Sequence, residues 1–221
     1  MIRYFVTGTD TGVGKTFVTC ALARLARSTG KRVFAFKPIE TGCRWVNGRL
    51  VGEDQTALVE AAGGWQTGEL IGLYQREYAA APRVADLMEG VARGFIVPDE
   101  IERVLEVGSS GADLVLVEGA GGWRVPVTDE LDMGGLAARI GAPVIVVARA
   151  TLGTINHSLL TIEAIERDGL QVAALVLSGR PGDDPGFAQI NAEQIDWVWT
   201  GPILQLWDQP EALSALLISA T

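Results

Sequence analysis

The chain is poor in the residues on which several common kinds of protein depend. Its 221 residues include two cysteines and one histidine, and its formal net charge is −9. Cys20 and Cys43 lack CxxC spacing, which is typical of reduced thiols and argues against a disulfide framework or a cysteine metal site. No serine or cysteine motif surrounds His157, so a hydrolase triad is not indicated. The acidic balance argues against a general nucleic-acid surface, and we expect no nucleic-acid partner.

Long apolar runs are also absent from the sequence. None approaches the ~18 residues that a membrane-spanning helix requires, and no charged-then-apolar leader precedes Ile2. We therefore expect no membrane partner and a cytoplasmic location. Hydrophobic residues nevertheless make up 48% of the chain, which is enough for a large core. The length suits one α/β domain, so we expect a single domain over residues 1–221.

Short apolar runs alternate with helical patterns along the chain. Strands are predicted at residues 2–6, 33–36, 114–117, 143–148, 172–177 and 203–206, and helices at 17–25, 54–62, 98–107, 156–167 and 186–195, with a further helix starting near 210. Continuously apolar strands separated by helices predict an α/β fold with a predominantly parallel sheet and helices on both faces. Residues 41–52 are expected to form a loop, and residues 63–97 carry no readable pattern.

The segment 8–16, Gly-Thr-Asp-Thr-Gly-Val-Gly-Lys-Thr, links the first predicted strand to the first predicted helix. This is the layout of a phosphate-binding P-loop, in which backbone N–H groups and Lys15 hold phosphates and Thr16 ligates Mg²⁺. The common P-loop has four residues between its first glycine and the Gly-Lys pair, and Gly8 stands one residue too early for that spacing. The alternative interpretation is a glycine-rich turn without a ligand. The strand and helix on either side favour a P-loop NTPase fold that binds a nucleoside triphosphate.

Ligands of a parallel sheet lie beyond the carboxyl ends of its strands, so polar residues at those ends are the other candidates. Glu118 occupies the usual place of the acid that supports Mg²⁺, and Asp54 is a second candidate that also suits a helix N-cap. Lys37 adds a second ammonium near the expected γ-phosphate. Residues 153–156 open a helix with free N–H groups, and Trp123 is a candidate wall of the site. The alternative for Glu118 is a solvated carboxylate, and for Lys37 a surface lysine.

Several segments together resemble the dethiobiotin synthetases. They are Gly-Thr-Asp-Thr-x-Val-Gly-Lys-Thr at 8–16, Lys-Pro-x-x-Thr-Gly at 37–42, Val-Glu-Gly-Ala-Gly-Gly-Trp at 117–123 and Leu-Gly-x-Ile-Asn-His at 152–157. The long phosphate loop is itself typical of that family. The resemblance implies an ATP- and Mg²⁺-dependent cyclo-ligase of biotin biosynthesis. Its substrates would be 7,8-diaminononanoate, CO₂ and ATP, and it would proceed through a carbamate and a carbamic–phosphoric anhydride.

The resemblance also implies a role for each matching residue. The catalytic residues would be Lys37, Lys15 and Thr11, and Mg²⁺ would be held by Thr16, Asp54 and Glu118. The residues in contact with the nucleotide would be Gly12, Val13, Gly14, Lys15, Thr16, Phe17 and Ser178. Those in contact with the substrate would be Thr41, Gly153, Thr154, Ile155 and Asn156. The family's site lies at a dimer interface, so we expect a homodimer in which residues 153–156 come from the partner subunit. Ser178 stands where the family often has Asn, which leaves the base preference open.

Three other functions are compatible with a P-loop chain. A dimerising ATPase switch of the chromosome-partitioning type would carry another Lys near the start of the loop, where Thr9 and Asp10 stand. A related synthetase acting on corrinoid acids normally carries a glutaminase module, for which 221 residues leave little room. A non-catalytic nucleotide sensor would bind ATP tightly without the diamine affecting turnover.

Overall fold

The computed structural model of the protein describes residues 1–92 and 95–218. Within these residues strands and helices alternate along the chain. The strands are β1 (Ile2–Gly8), β2 (Val33–Phe36), β3 (Ile39–Thr41), β4 (Arg44–Val46), β5 (Arg49–Val51), β6 (Tyr74–Arg76), β7 (Leu114–Gly122), β8 (Val144–Arg149), β9 (Val172–Ser178) and β10 (Ile203–Leu206). The α-helices are α1 (Lys15–Ser28), α2 (Glu53–Ala61), α3 (Pro82–Met88), α4 (Pro98–Ser109), α5 (Met133–Ile140), α6 (Thr154–Arg167) and α7 (Pro185–Asp196). Short 3₁₀ helices span Gly68–Leu70 and Pro210–Leu217.

Six strands form one sheet in the order β10-β9-β8-β1-β7-β2, and every pairing in it is parallel. β3 and β6 form a separate parallel pair, and β4 and β5 form an antiparallel hairpin. The helical connections between parallel strands carry the chain back across the sheet. The predicted parallel α/β architecture is confirmed.

Apolar side chains fill both faces of the six-stranded sheet. One face packs against α1, α2 and the C-terminal 3₁₀ helix, and the other against α4, α5, α6 and α7. Phe5 and Val6, neighbours in β1, are both fully buried and lie in opposite clusters, as the alternation of side chains along a strand requires. The continuous apolar runs that predicted burial on both faces are therefore explained by this packing. No helix within the described residues has the length and hydropathy to cross a membrane.

The strand register brings the carboxyl ends of β1, β2 and β7 together. Val6 of β1 pairs with Glu118 of β7, and Phe36 of β2 pairs with Val117 of β7. Lys37 directly follows β2, so the register places it beside Glu118. The P-loop leaves β1 at the same edge of the sheet and leads into α1.

The structure differs from the sequence predictions in several places. The predicted loop 41–52 contains the β4–β5 hairpin, whose turn is Asn47-Gly48 with φ values of 50° and 77°; this Asn-Gly pair is a hairpin signal that the prediction overlooked. β6, α3 and α5 were not predicted, and the C-terminal helix is a 3₁₀ helix. Residues 93–94 of the unassigned stretch 63–97, and residues 219–221 at the C-terminus, lie outside the described residues.

Candidate functional site

The P-loop is shaped by glycines that a side chain would disrupt. Gly14, just before α1, has φ 103°, and a Cβ built on it would lie 2.5 Å from the Oγ of Ser178. A Cβ on Gly8 would lie 2.7 Å from the carbonyl oxygen of Asp10. The glycine that falls outside the common spacing is therefore required because the longer loop folds back over the end of β1.

A cavity of about 470 Å³ opens at this edge of the sheet, beside the N-terminus of α1. Lys15 and Lys37 both line it, although they come from different elements. The other predicted site residues that line the cavity are Thr11, Gly12, Gly14, Thr16, Phe17, Thr41 and Asp54. One cavity thus holds both ammonium groups and one end of α1, which is an arrangement suited to a phosphate-bearing ligand.

Lys37 lies at the centre of a charged cluster next to this cavity. Its Nζ is 2.5 Å from Oδ2 of Asp54 and 2.8 Å from Oε1 of Glu118. The Thr16 hydroxyl donates to the same Oε1 of Glu118 at 2.9 Å. Glu118 is fully buried, so the alternative of a solvated strand-end carboxylate is wrong, and so is that of a surface lysine for the buried Lys37.

The cluster shifts the pKa values of its members in opposite directions. Burial by itself would lower the pKa of Lys37, but the charges of Glu118 and Asp54 raise it above its ordinary value. Burial would raise the pKa of Asp54, and the Lys37 ammonium lowers it instead. Lys37 is therefore a fixed cation, poorly suited to exchanging protons and well suited to stabilising negative oxygen.

Lys15 has a different environment from Lys37. It is buried, and its Nζ donates to the carbonyl oxygen of Asp10 at 3.4 Å. Burial, followed by the nearby positive charge of Lys37, lowers the pKa of Lys15 to about 8. Its Nζ has no carboxylate partner among the salt bridges of residues 1–92 and 95–218. This ammonium is thus available to a phosphate.

The cluster fits a hard divalent cation. Glu118 Oε2 is buried and has no hydrogen-bond partner, while Oε1 of the same residue is already engaged. The Asp54 carboxylate and Thr16 hydroxyl lie within the same group of contacts. Mg²⁺ prefers one or two carboxylates supplemented by water and phosphate oxygens, so a set of two carboxylates and one hydroxyl matches its needs. Asp54 is the second residue of α2, and Gly52 holds the N-cap position, so Asp54 is not the N-cap.

Two predicted nucleotide contacts lie just outside the cavity. Val13 is buried in the apolar cluster on the α1 side of the sheet. Ser178, at the end of β9, packs against the backbone of Gly14 and is also buried. Thr41 does line the cavity, but its hydroxyl donates to the carbonyl oxygen of Ala80 at 2.7 Å.

The predicted substrate residues Gly153, Thr154, Ile155 and Asn156 do not line the cavity that holds Lys15 and Lys37, within the part of the chain that is described. They form the start of α6. Farther along the same helix, Leu160, Thr161 and Ala164 line a second cavity of about 340 Å³. Trp123 lines this second cavity and not the one that holds Lys15 and Lys37, so its place as a wall of the site stays a prediction. The Trp123 ring packs edge-on against Phe5, and its Nε1 donates to Asp168 at 2.8 Å.

Sequence reasoning missed three features of the first cavity. Glu40 lines it from β3, residues 79–82 line it at the start of α3, and Arg180 lines it from the segment after β9. The Arg180 guanidinium donates to the carbonyl oxygen of Gly12 in the P-loop. Glu40 and Arg180 could have been found from the sequence, because both are charged residues just after a predicted strand. Glu40 lies between Lys37 and Thr41, and Arg180 follows the strand that ends near Ser178. Residues 79–82 had none, because alanines and a proline carry no distinctive chemistry.

Substitution of Gly14 by alanine is expected to weaken ATP binding at least tenfold. The added methyl would overlap Ser178, and alanine rarely adopts a φ of 103°. The matched control is Gly30→Ala, because Gly30 also has positive φ, at 83°, but has open space where its Cβ would lie. Calorimetric titration with ATP measures both variants; equal affinities for Gly14→Ala and wild type would contradict the assigned loop geometry.

Comparisons with known proteins agree with this geometry. Residues 3–204 match the family described as AAA domain. Among solved structures, the MinC:MinD cell division complex of Aquifex aeolicus superposes with a TM-score of 0.58 at 13% identity, covering 98% of this chain and 85% of that chain. The signal recognition particle receptor FtsY of Elizabethkingia anophelis gives a TM-score of 0.52 at 15% identity, covering 98% of this chain and 65% of that chain. These likenesses concern the fold alone, and the family match shows that the chain is a P-loop protein of the AAA domain family.

Curated relatives identify the particular family. The chain is 44% identical to the ATP-dependent dethiobiotin synthetase BioD of Anaeromyxobacter dehalogenans, over 86% of this chain and 82% of that protein. It is 35% identical to the protein of the same name from Anoxybacillus flavithermus, over 92% of this chain and 90% of that protein. The chain therefore belongs to the family of ATP-dependent dethiobiotin synthetases, and the resemblance drawn from its motifs is confirmed.

Proposed function

We propose that this protein closes the ureido ring of dethiobiotin from 7,8-diaminononanoate, CO₂ and ATP. One observation supports the proposal above all: Lys15 and Lys37 line a single cavity, and Lys37 is bonded to both candidate metal carboxylates. A reaction that joins a carboxylated amine to the γ-phosphoryl group of ATP needs two cations at one point. Ordinary ATP binding needs only the P-loop lysine.

The first bond forms when one neutral amine of the substrate attacks CO₂ and loses a proton, which gives a carbamate. The carbamate carries a full negative charge on its oxygens, and it must lie near the γ-phosphate, which is also negative. Lys15 and Lys37 would reduce this repulsion by lying between the two groups. Their role is to hold both anions in contact, which is a matter of position and charge.

The next steps transfer the phosphoryl group and close the ring. A carbamate oxygen attacks the γ-phosphorus and ADP leaves, which produces the carbamic–phosphoric anhydride. The second amine then attacks the carbonyl carbon and expels phosphate. Lys37 would stabilise the charge on the transferring phosphoryl oxygens, and the hydroxyls of Thr11 and Thr41 would orient the reacting end of the substrate. The P-loop glycines 12 and 14, with Val13, Phe17 and Ser178, would hold the nucleotide.

Magnesium is part of the proposal. Thr16, Asp54 and Glu118 would hold Mg²⁺, which would supply positive charge to neutralise the phosphates of the nucleotide. The support is the donor set described above, in which the second oxygen of Glu118 is buried without a partner.

The reaction is tested by incubating the protein with ATP, Mg²⁺, bicarbonate and the diamine, and measuring dethiobiotin and ADP. Product that depends on all four components supports the proposal. ATP hydrolysis unaffected by the diamine, with no dethiobiotin, would favour the ATPase switch or the nucleotide sensor instead. Comparison of ATP, CTP and GTP in the same assay measures the base preference that Ser178 leaves open.

We further propose a homodimer, in which residues 153–156 bind the distant carboxylate of the partner's substrate. The support is the exposure of apolar side chains beside that segment: Leu152 is 90% exposed and Leu160 is 57% exposed. The cytoplasmic location expected from the sequence stays a prediction.

Leu160→Asp is expected to give a monomer by light scattering and to raise KM for the diamine at least tenfold, with little change in KM for ATP. A buried charge would oppose association at this face. Leu87→Asp is the matched control, because Leu87 on α3 is 60% exposed and lies elsewhere on the surface. A dimeric Leu160→Asp protein with an unchanged KM for the diamine would contradict the proposed interface.

A further inference from the structure

Glu40 is a buried carboxylate beside the charged cluster. It lies in β3, three residues after Lys37, and is 6% exposed. Its Oε1 accepts from the backbone N–H of Asp54 at 2.9 Å, and its Oε2 accepts from that of Gln55 at 2.8 Å. These N–H groups belong to the first turn of α2 and have no partner within the helix. Because Gly52 at the N-cap has no side chain, Glu40 caps α2 from a separate strand.

Gly52 makes this close contact possible. Its φ of −84° and ψ of 127° are ordinary for any residue, so its backbone conformation does not require glycine. A Cβ built on it would lie 2.1 Å from Oε2 of Glu40, and the three nearest atoms all belong to that carboxylate. A glycine is therefore needed at residue 52 because the Glu40 carboxylate occupies the space of a side chain.

A second contact ties the same helix to Lys37. The Gln55 side chain is almost fully buried, and its Nε2 donates to the carbonyl oxygen of Lys37 at 2.9 Å. Gln75 in β6 donates to Oε1 of Gln55 at 2.8 Å, which fixes the orientation of that amide. The start of α2 is thus bound both to β3 and to the backbone of Lys37.

These contacts matter because the Asp54 carboxylate is held by the Lys37 ammonium on one side and is open to solvent on the other. Its side chain is 40% exposed, whereas Lys37 is 6% exposed and Glu118 is fully buried. The position of Asp54 therefore depends also on its backbone, which two hydrogen bonds from α2 to Glu40 hold in place. Loss of these bonds would free the start of α2 and move Asp54 away from Lys37.

We propose that Glu40 is a positioning residue, which holds Asp54 in the place where it binds the divalent cation beside Lys37 and Glu118. The inference rests on the proposed function only in that Asp54 is taken as a metal ligand. Groups that orient metal ligands typically contribute 10- to 100-fold to metal affinity. Glu40 would act through Asp54.

The test uses Glu40→Gln, Glu40→Ala and Gly52→Ala in the full chain. We expect each to raise the dissociation constant of Mn²⁺, bound together with a non-hydrolysable ATP analogue, by about 10- to 100-fold. The constant is measured from the electron paramagnetic resonance signal of free Mn²⁺, with an analogue-only titration subtracted. The Mg²⁺ concentration that gives half-maximal turnover should rise similarly, while binding of the analogue without metal stays within about threefold.

Two comparisons separate positioning from a general loss of stability. Glu53→Gln removes a charge from the same turn of α2. Glu53 is exposed and pairs with Arg44 at 3.2 Å. The Glu53→Gln protein should therefore bind Mn²⁺ as tightly as the wild type does. The double variant Glu40→Ala with Gly52→Ala should bind Mn²⁺ no more weakly than Glu40→Ala alone, because the methyl then enters vacated space. If Glu40→Ala does not fold, Glu40→Gln and Gly52→Ala carry the test.

Unchanged Mn²⁺ affinity in folded Glu40→Gln and Gly52→Ala would overturn the inference, as would an equal loss in Glu53→Gln. The Mn²⁺ titration needs no diamine. Failure of the wild type to form dethiobiotin would thus overturn the proposed reaction while the titration still decided the role of Glu40. A wild type that makes dethiobiotin, with Glu40 variants of normal metal affinity, would overturn this inference alone.

Discussion

Replacing Lys37 by glutamine is expected to lower turnover by two to three orders of magnitude, while the dissociation constant for ATP changes less than about threefold. Removal of one group that stabilises transition-state charge typically has an effect of this size on kcat. Lys37 is buried and lines the cavity from the end of β2, and in the variant the P-loop and Lys15 would remain to hold the triphosphate. A change confined to kcat is the signature of an interaction made in the transition state.

The Lys37→Gln protein needs a stability control, because the substitution leaves Asp54 and Glu118 without their cation. Loss of one partner from a buried ion pair destabilises a protein. The thermal midpoint should fall for the free protein and recover when Mg²⁺ and ATP are added, since the metal can neutralise both carboxylates. Lys31→Gln removes the same charge from a partly exposed lysine and should leave kcat unchanged. Equal losses in ATP affinity and in turnover would contradict the role given to Lys37.

Glu118→Gln is expected to lower kcat at least 100-fold and to abolish the stabilisation that Mg²⁺ adds to the ATP complex. The carboxylate is fully buried, with one oxygen bonded to Lys37 and Thr16 and the other without a partner. The amide nitrogen of glutamine would place a donor where a cation needs an oxygen. The Lys37 ammonium would also lose one of its two counter-charges.

The measurement for this variant is turnover across a wide range of Mg²⁺ concentrations, together with thermal midpoints with ATP alone and with Mg²⁺ and ATP. Glu60→Gln on the exposed side of α2 is the matched control and should behave as wild type. A normal Mg²⁺ dependence in Glu118→Gln would show that the metal is held elsewhere.

The sheet could be predicted from the sequence because its strands are unusually clear. Residues 114–117 and 144–148 are continuously apolar and fully buried, so burial on both faces follows from composition alone. The β4–β5 hairpin was missed although its Asn47-Gly48 turn is a hairpin signal, and the hydrophobic patterns of its strands and of α3 are weak. Each hairpin strand has three residues, and α3 has seven. The hairpin strands Arg44–Val46 and Arg49–Val51 lie on the surface, where no hydrophobic pattern is required.

The site could be predicted as far as chemistry marks its residues. Lys15, Lys37, Asp54 and Glu118 are charged groups at strand or helix ends, and the structure brings them together. Glu40 carries the same kind of charge, yet its partners are backbone N–H groups 14 and 15 residues away, which no local pattern records. The distance of residues 153–156 from the first cavity likewise depends on folding, and their proposed role depends on a second subunit.

The most direct test of the central claim follows an oxygen atom. If the carbamate is phosphorylated beside Lys15 and Lys37, one carbamate oxygen stays on phosphorus when the second amine closes the ring. With ¹⁸O-labelled bicarbonate in unlabelled water, sampled before the label exchanges with solvent, the released phosphate should carry one ¹⁸O for each dethiobiotin formed. Mass spectrometry of the phosphate measures this ratio. Unlabelled phosphate accompanying dethiobiotin would contradict the proposed anhydride and, with it, the joint role of the two lysines.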